Sequence, residues 1–223
     1  MRRQISKSSC HFSQGFVLRC GALEFESLSR IPLPDPSSDA SIPNLWLVLD
    51  EVVDPQNLGA ILRSSYFLGG NDNNRLGVLV CSKNSAPPSP VVSAASAGAL
   101  ELLNVYSTNS LPRTLTTARE DGFRIIGAAS SKPRGVDEEE VQLYDLQDLP
   151  KDDRPTLLVL GSEGHGLRTM VAKLCTDFVR IPHGGVGGTS GGDDNDGDVV
   201  DSLNVSVTGG ILLWHLLHGV NKV

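Results

Sequence analysis

The sequence predicts an α/β fold: a mostly parallel sheet with helices on both faces. Three observations carry this expectation. The apolar runs are continuous rather than alternating, so both faces of each strand must be covered. Helix-like segments separate them, as crossovers between parallel strands require. A chain of 223 residues, 39% of them hydrophobic, is also long and apolar enough to bury a substantial core.

The elements follow in order. The first strand is LWLVLDEV (45–52). Asp54 and Pro55 then start a helix running to Leu68, because the carboxylate can cap free N–H groups and proline loses nothing at the first helical position. LGVLVC (76–81) is the next strand, followed by a helix from Pro90 to Leu103. Strand NVY (104–106), a helix near Leu111 to Arg119 and strand RIIGAA (124–129) repeat the alternation. TLLVLG (156–161), a helix near Arg168 to Cys175, strand DFVRI (177–181) and a final helix from Leu203 to Leu217 complete it.

Residues 31–44, IPLPDPSSDASIPN, hold four prolines among small polar residues and read as an extended linker. Ahead of it, residues 1–30 read as the remnant of an upstream domain. Their acid-poor, Arg- and Ser-containing start also has the composition of an organelle transit peptide, but CHFSQGFVLRCGALEFESL has the pattern of folded sequence. Residues 45–223 form the main domain. Two stretches break its rhythm, DEEEVQLYDLQDLPKDD and HGGVGGTSGGDDNDGDVVD. The second is not a calcium loop, since the frame through Gly197 starts on Gly192 and puts Leu203 where a bidentate Glu is needed. Residues 184–200 are expected to be a flexible insertion.

A net charge of −7 argues against nucleic-acid binding over the whole surface, so any RNA contact is local. Cys10, Cys20, Cys81 and Cys175 have neither CxxC spacing nor disulfide-scaffold density and read as structural thiols. His215 and His218 lie three apart on the last helix without other ligands at suitable spacing, so no metal site is expected. No apolar run approaches the roughly 20 residues of a membrane-spanning helix.

Three segments carry candidate chemistry. In DEVVDPQNLGAILRSS (50–65), Leu58, Ile61, Leu62 and Ser65 form the inward stripe, while Gly59 and Arg63 share another face with room for a ligand beside the guanidinium. The plainer alternative is a solvated arginine. In LGSEGHGL (160–167) the glycines have neither dinucleotide order nor a closing Lys-Ser/Thr, and Glu163 would repel a pyrophosphate. A cationic nucleoside suits such a loop; so does a simple turn into the next helix. In DSLNVSVTGGILLWHLL (201–217), Ser202 is the expected N-cap and Leu203, Val207, Gly210, Ile211 and Trp214 the expected core stripe, with Asn204 and Ser206 outside it.

Together, Asn57-x-Gly59-x-x-x-Arg63, the strand-loop LVLGSEGHGL, and RIP (180–182) followed by DSLNVSV resemble the three motifs of the SpoU/TrmH-type RNA ribose 2′-O-methyltransferases of the SPOUT superfamily. Within that family the pattern is most similar to the mitochondrial large-subunit rRNA 2′-O-guanosine methyltransferases. The resemblance covers about residues 45–220 and implies a C-terminal trefoil knot, S-adenosylmethionine as cofactor, ribosomal RNA as substrate, a homodimer and a mitochondrial location. It further implies cofactor contacts at Gly161, Ile181 and Leu203, with Leu160, Gly164, Gly166 and Ser206 beside them. Arg63, Asn57, Glu163, Asn204 and Ser202 match the positions associated with catalysis. The resemblance implies that Arg63 helps to activate the ribose hydroxyl; because arginine holds its proton tightly, Arg63 is expected to orient the target phosphate and stabilise developing alkoxide, with arginine as the base as the alternative. Glu163 and Asn204 are expected to hold the loop and the helix start. A degenerate RNA-binding member without transfer, or a tRNA ribose methyltransferase, are the alternative readings.

Overall fold

The computed structural model describes residues 23–34, 42–70, 75–136, 141–183 and 202–219. The expected insertion at 184–200 and most of the expected N-terminal remnant lie outside them. The strands are β1 (Glu26–Ser27), β2 (Leu45–Leu49), β3 (Leu76–Cys81), β4 (Val105–Thr108), β5 (Arg124–Ala128), β6 (Gln142–Asp145), β7 (Thr156–Leu160) and β8 (Asp177–Arg180). The helices are α1 (Pro55–Gly69), α2 (Pro90–Ser96), α3 (Leu111–Glu120), α4 (Thr169–Ala172) and α5 (Val205–His218). Among the described residues the strands form one sheet in the order β1-β4-β3-β2-β7-β5-β8-β6, every neighbouring pair parallel.

Alternate residues of the central strands feed two separate cores, as strand geometry dictates. Leu45, Leu47 and Leu49 of β2, with Leu158 and Leu160 of β7, pack under α1, α2 and α5. Trp46, Val48, Leu157 and Val159 face the opposite way, under α3 and α4. This double burial is the physical origin of the unbroken apolar runs. The stripe expected on α1 is correct: Leu58, Ile61, Leu62 and Ser65 are all buried.

Several elements differ from expectation. The helix expected over 90–103 ends at Ser96, because Ala97 and Gly98 turn left-handed (φ 51° and 90°), and only a 3-10 turn at Ala99–Glu101 follows. The helix expected over 168–175 is a single turn. Within the acidic stretch treated as an interruption, β6 pairs with β8 and Asp145 forms an ion pair with Arg180. Arg124, buried on β5, bridges Asp177 Oδ2 (2.8 Å) and the Pro150 carbonyl (2.7 Å), tying that stretch to the sheet. At the opposite edge β1 pairs with β4, and Ile31 inserts into the second core.

The largest correction concerns α5. Leu203, Val207, Ile211 and Trp214, expected in the core, are 47%, 48%, 37% and 57% exposed, while Val205, Gly209, Leu212 and Leu213 face inward. The helix is apolar nearly all round, so periodicity could not choose its face. Close packing chose it: a Cβ on Gly209 would lie 2.8 Å from the Leu160 side chain, so glycine lets α5 approach β7 closely there.

Candidate functional site

Sheet order decides where a site can form. From β2 the chain passes through α1 to β3 on one side, and from the adjacent β7 it passes through α4 to β8 on the other. The loops leaving the carboxyl ends of β2 and β7 therefore diverge and open a crevice, the place where parallel sheets bind ligands.

On the β2 side, Asp54 caps α1 by accepting from Gln56 N at 2.9 Å, with Pro55 opening the first turn. This sets Asn57 at the crevice, 8% exposed. On the β7 side, residues 162–166 form a small hairpin in which Ser162 and Gly166 exchange backbone hydrogen bonds, each 3.0 Å. Gly164 and Gly166 turn with φ of 87° and 67°, values costly for residues with a side chain. Gly161 has no room for one: a Cβ would lie 2.2 Å from the carbonyl carbon of Gly166.

Glu163, at the hairpin tip, explains why a glycine loop carries a carboxylate. Its Oε2 accepts from Asn57 Nδ2 and its Oε1 from Asn204 Nδ2, both at 2.7 Å. Asn204 Nδ2 also donates to Asn57 Oδ1 at 3.0 Å. One side chain thus ties together the hairpin, the start of α1 and the start of α5. Both partners are neutral amides, so the negative charge stays uncompensated by them.

The expected cap Ser202 is corrected by the same contacts. Asn204 caps α5, its Oδ1 accepting from Ser206 N (2.8 Å) and Ser206 Oγ (2.6 Å), and Ser202 and Leu203 precede the helix. An asparagine in this place caps and cross-links at once, which serine is too short to do. Leu160, Val179 and Val205 share one apolar cluster, with Ile181 packed against it. Because β5 separates β7 from β8, Gly161 and Ile181 leave the same sheet edge roughly 10 Å apart.

Arg63 does not join this network. It lies six residues beyond Asn57, about 9 Å along the helix axis, on another face. It lines a groove of about 490 Å³ with Tyr66, Phe67, Ser96 and Leu102. Gly59 leaves no ligand space either: its Cβ would meet Ala95 Cβ at 2.4 Å, so this glycine serves the packing of α1 on α2. Among the described residues no group of three or more His, Cys, Asp or Glu could hold a metal, and His218 contacts the Leu68 carbonyl at 3.3 Å. Likewise no helix is long and apolar enough to cross a membrane.

Asp50 and Arg168 are prominent residues of this edge that sequence reasoning missed. Asp50 is wholly buried and accepts from Arg168 Nε (2.8 Å) and Nη2 (2.5 Å). The hydrogen bonds that Arg168 donates to the Asp50 carboxylate hold its guanidinium above its ordinary pKa, against the opposing effect of burial. The available signal was a pair of adjacent acids, Asp50 and Glu51, closing an otherwise apolar strand.

Residues 44–189 match the model of the SpoU rRNA Methylase family. The chain belongs to that family. It is 39% identical to the mitochondrial rRNA methyltransferase 1 of Schizosaccharomyces pombe, over 95% of this chain and 70% of the relative. It is 35% identical to the human protein of the same name, where the match spans 95% of this chain but only 56% of the relative. Among solved structures, a TrmH-family protein from Porphyromonas gingivalis aligns over 80% of this chain and 61% of its own, with TM-score 0.59 and 31% identity. The AdoMet-bound rRNA methyltransferase of Sinorhizobium meliloti shares the fold, with TM-score 0.59 and 20% identity over 80% of this chain and 57% of its own.

Proposed function

We propose that this chain transfers the methyl group of S-adenosylmethionine to a ribose 2′-hydroxyl of ribosomal RNA, a guanosine of the large-subunit RNA in the mitochondrion. The observation that carries the proposal is the Asn57–Glu163–Asn204 network at the β2/β7 crevice, in a family member whose relatives are named rRNA methyltransferases.

The crevice fits the cofactor in chemistry. Its central carboxylate makes hydrogen bonds to two neutral amides, an arrangement that favours a cationic nucleoside and disfavours phosphate. Backbone at Gly161, Ile181 and Leu203, with Leu160, Gly164, Gly166 and Ser206 around it, would hold the group. When bound, S-adenosylmethionine supplies a methyl carbon already activated by its sulfonium. Glu163, Asn57 and Asn204 fix the hairpin and the two helix starts relative to one another. Such alignment can supply about 7–11 kcal/mol of the barrier. Arg63 orients the target phosphate and stabilises the alkoxide developing as the ribose oxygen loses its proton to that phosphate or to water.

The separation of Arg63 from the network is reconciled by a homodimer. Phe67, 82% exposed, and the outward face of α5 (Val207, Ile211, Trp214) leave a broad apolar surface next to the Arg63 groove. Ser64 links the two, lining the groove and lying 3.7 Å from the Cβ position of Gly210. Large exposed apolar patches mark interaction sites. A second copy on this face would make Arg63 part of a site built from both subunits. The trefoil knot belongs to the same proposal.

The test is incubation of the full chain with labelled S-adenosylmethionine and large-subunit rRNA. Saturable cofactor binding with label in ribose supports the reading; cofactor binding with no transfer to any RNA identifies a non-catalytic RNA-binding member instead.

A further inference from the structure

The Asp50–Arg168 pair holds the glycine hairpin from the side opposite to Glu163. Asp50 follows Trp46 and Val48 in the alternation that points toward α3 and α4, whereas Glu163 joins α1 and α5. At the hairpin's entry, Asp50 N donates to the Leu160 carbonyl at 2.8 Å. At its exit, Asp50 Oδ2 accepts from Arg168 N at 3.3 Å, while Oδ1 takes the two guanidinium contacts. A single buried residue therefore closes both ends of the segment between Leu160 and Arg168.

The neighbouring backbone is committed to this contact. Glu51 is a non-glycine residue in the left-handed region (φ 63°), where a side chain costs energy unless surrounding contacts impose it. Those contacts are Asn84 Nδ2, which donates to Glu51 Oε1 at 2.8 Å, and Arg168 Nε, 3.6 Å from the same oxygen. Arg168 thus engages two adjacent carboxylates at the end of β2.

We propose that Asp50 and Arg168 are positioning residues for the cofactor, setting the height of the glycine hairpin above the sheet edge. This rests on the reading of the crevice as a S-adenosylmethionine site. In this role the pair acts through the hairpin, so it controls cofactor affinity rather than the chemical step.

The experiment uses the full chain, with S-adenosylmethionine as probe and rRNA as acceptor. Arg168→Lys keeps the charge but replaces a planar fork by a point donor, and Arg168→Ala removes both. The dissociation constant and KM for S-adenosylmethionine should rise roughly tenfold in the first variant and further in the second. kcat and the KM for RNA should stay within about twofold, and millimolar guanidinium should restore part of the affinity of Arg168→Ala. Arg30→Ala, which breaks the exposed Arg30–Asp121 pair, is the control and should change nothing in cofactor binding. The proposal is overturned if the Arg168 variants lower Tm yet bind S-adenosylmethionine like the parent, or if only the KM for RNA rises, which would make Arg168 an RNA contact. Absence of saturable binding in the parent chain overturns the cofactor reading itself, and the positioning role with it.

Discussion

Replacing Glu163 by Gln tests the network with the smallest change of shape. The carboxylate accepts two hydrogen bonds of 2.7 Å from Asn57 and Asn204. An amide offers one oxygen and one NH2, so one contact survives in weaker, neutral form and the other sets N–H against N–H. Hydrogen bonds to a charged group are worth about 1.5–3 kcal/mol, and the lower end applies to an exposed tip. The loss is therefore about 1.5–2 kcal/mol, an upper bound on its effect because the Asp50–Arg168 pair still holds the hairpin. Titration calorimetry should show S-adenosylmethionine affinity falling by roughly tenfold. Glu163→Asp, too short to span both amides, should move the same way. With both oxygens engaged, Glu163 serves position and not proton transfer, so the pH profile of kcat should keep its shape in Glu163→Gln. Unchanged affinity in both variants, or a profile that loses its acidic limb, would refute this reasoning.

Further outcomes follow from single contacts. Gly161→Ala drives a methyl into the Gly166 backbone, which cannot yield, so stability should drop by about 2 kcal/mol or more in thermal melts and cofactor binding should be lost with the hairpin. Trp214→Glu places a charge on the exposed face of α5 and should convert the proposed dimer to monomers in light scattering while circular dichroism still reports a folded chain. Burial pushes the Cys175 thiol from 9.0 up to about 12, so it should resist alkylation in the native protein. Since its folded pKa is the raised one, stability should be full below the unfolded value and fall as pH climbs from about 9 toward 12, measurable by denaturant titration.

The parallel sheet was legible because its central strands are buried on both faces and so read as unbroken apolar runs. The short edge strands β1 and β6 were not, since a strand of two or four residues covered on one side leaves no such run. Asn57, Glu163 and Asn204 could be named from local motifs, but their mutual contacts span 106, 147 and 41 residues of sequence and exist only through the fold. The faces of α5 and the purpose of Gly59 were misread for one reason. An apolar or glycine position shows that something packs closely without showing what, and here it was Leu160 for Gly209 and α2 for Gly59. Asp50 and Arg168, 118 residues apart, left no pairwise signal in one sequence.

The central claim is met most directly by site-resolved mapping of ribose methylation on mitochondrial large-subunit rRNA, in cells lacking this protein and in cells given back either the parent chain or Arg63→Ala. One guanosine should lose its 2′-O-methyl group in the deletion, regain it with the parent chain, and stay unmethylated with Arg63→Ala, although that variant binds S-adenosylmethionine within about threefold of the parent. A methylation map unchanged by the deletion, or full restoration by Arg63→Ala, would contradict the account.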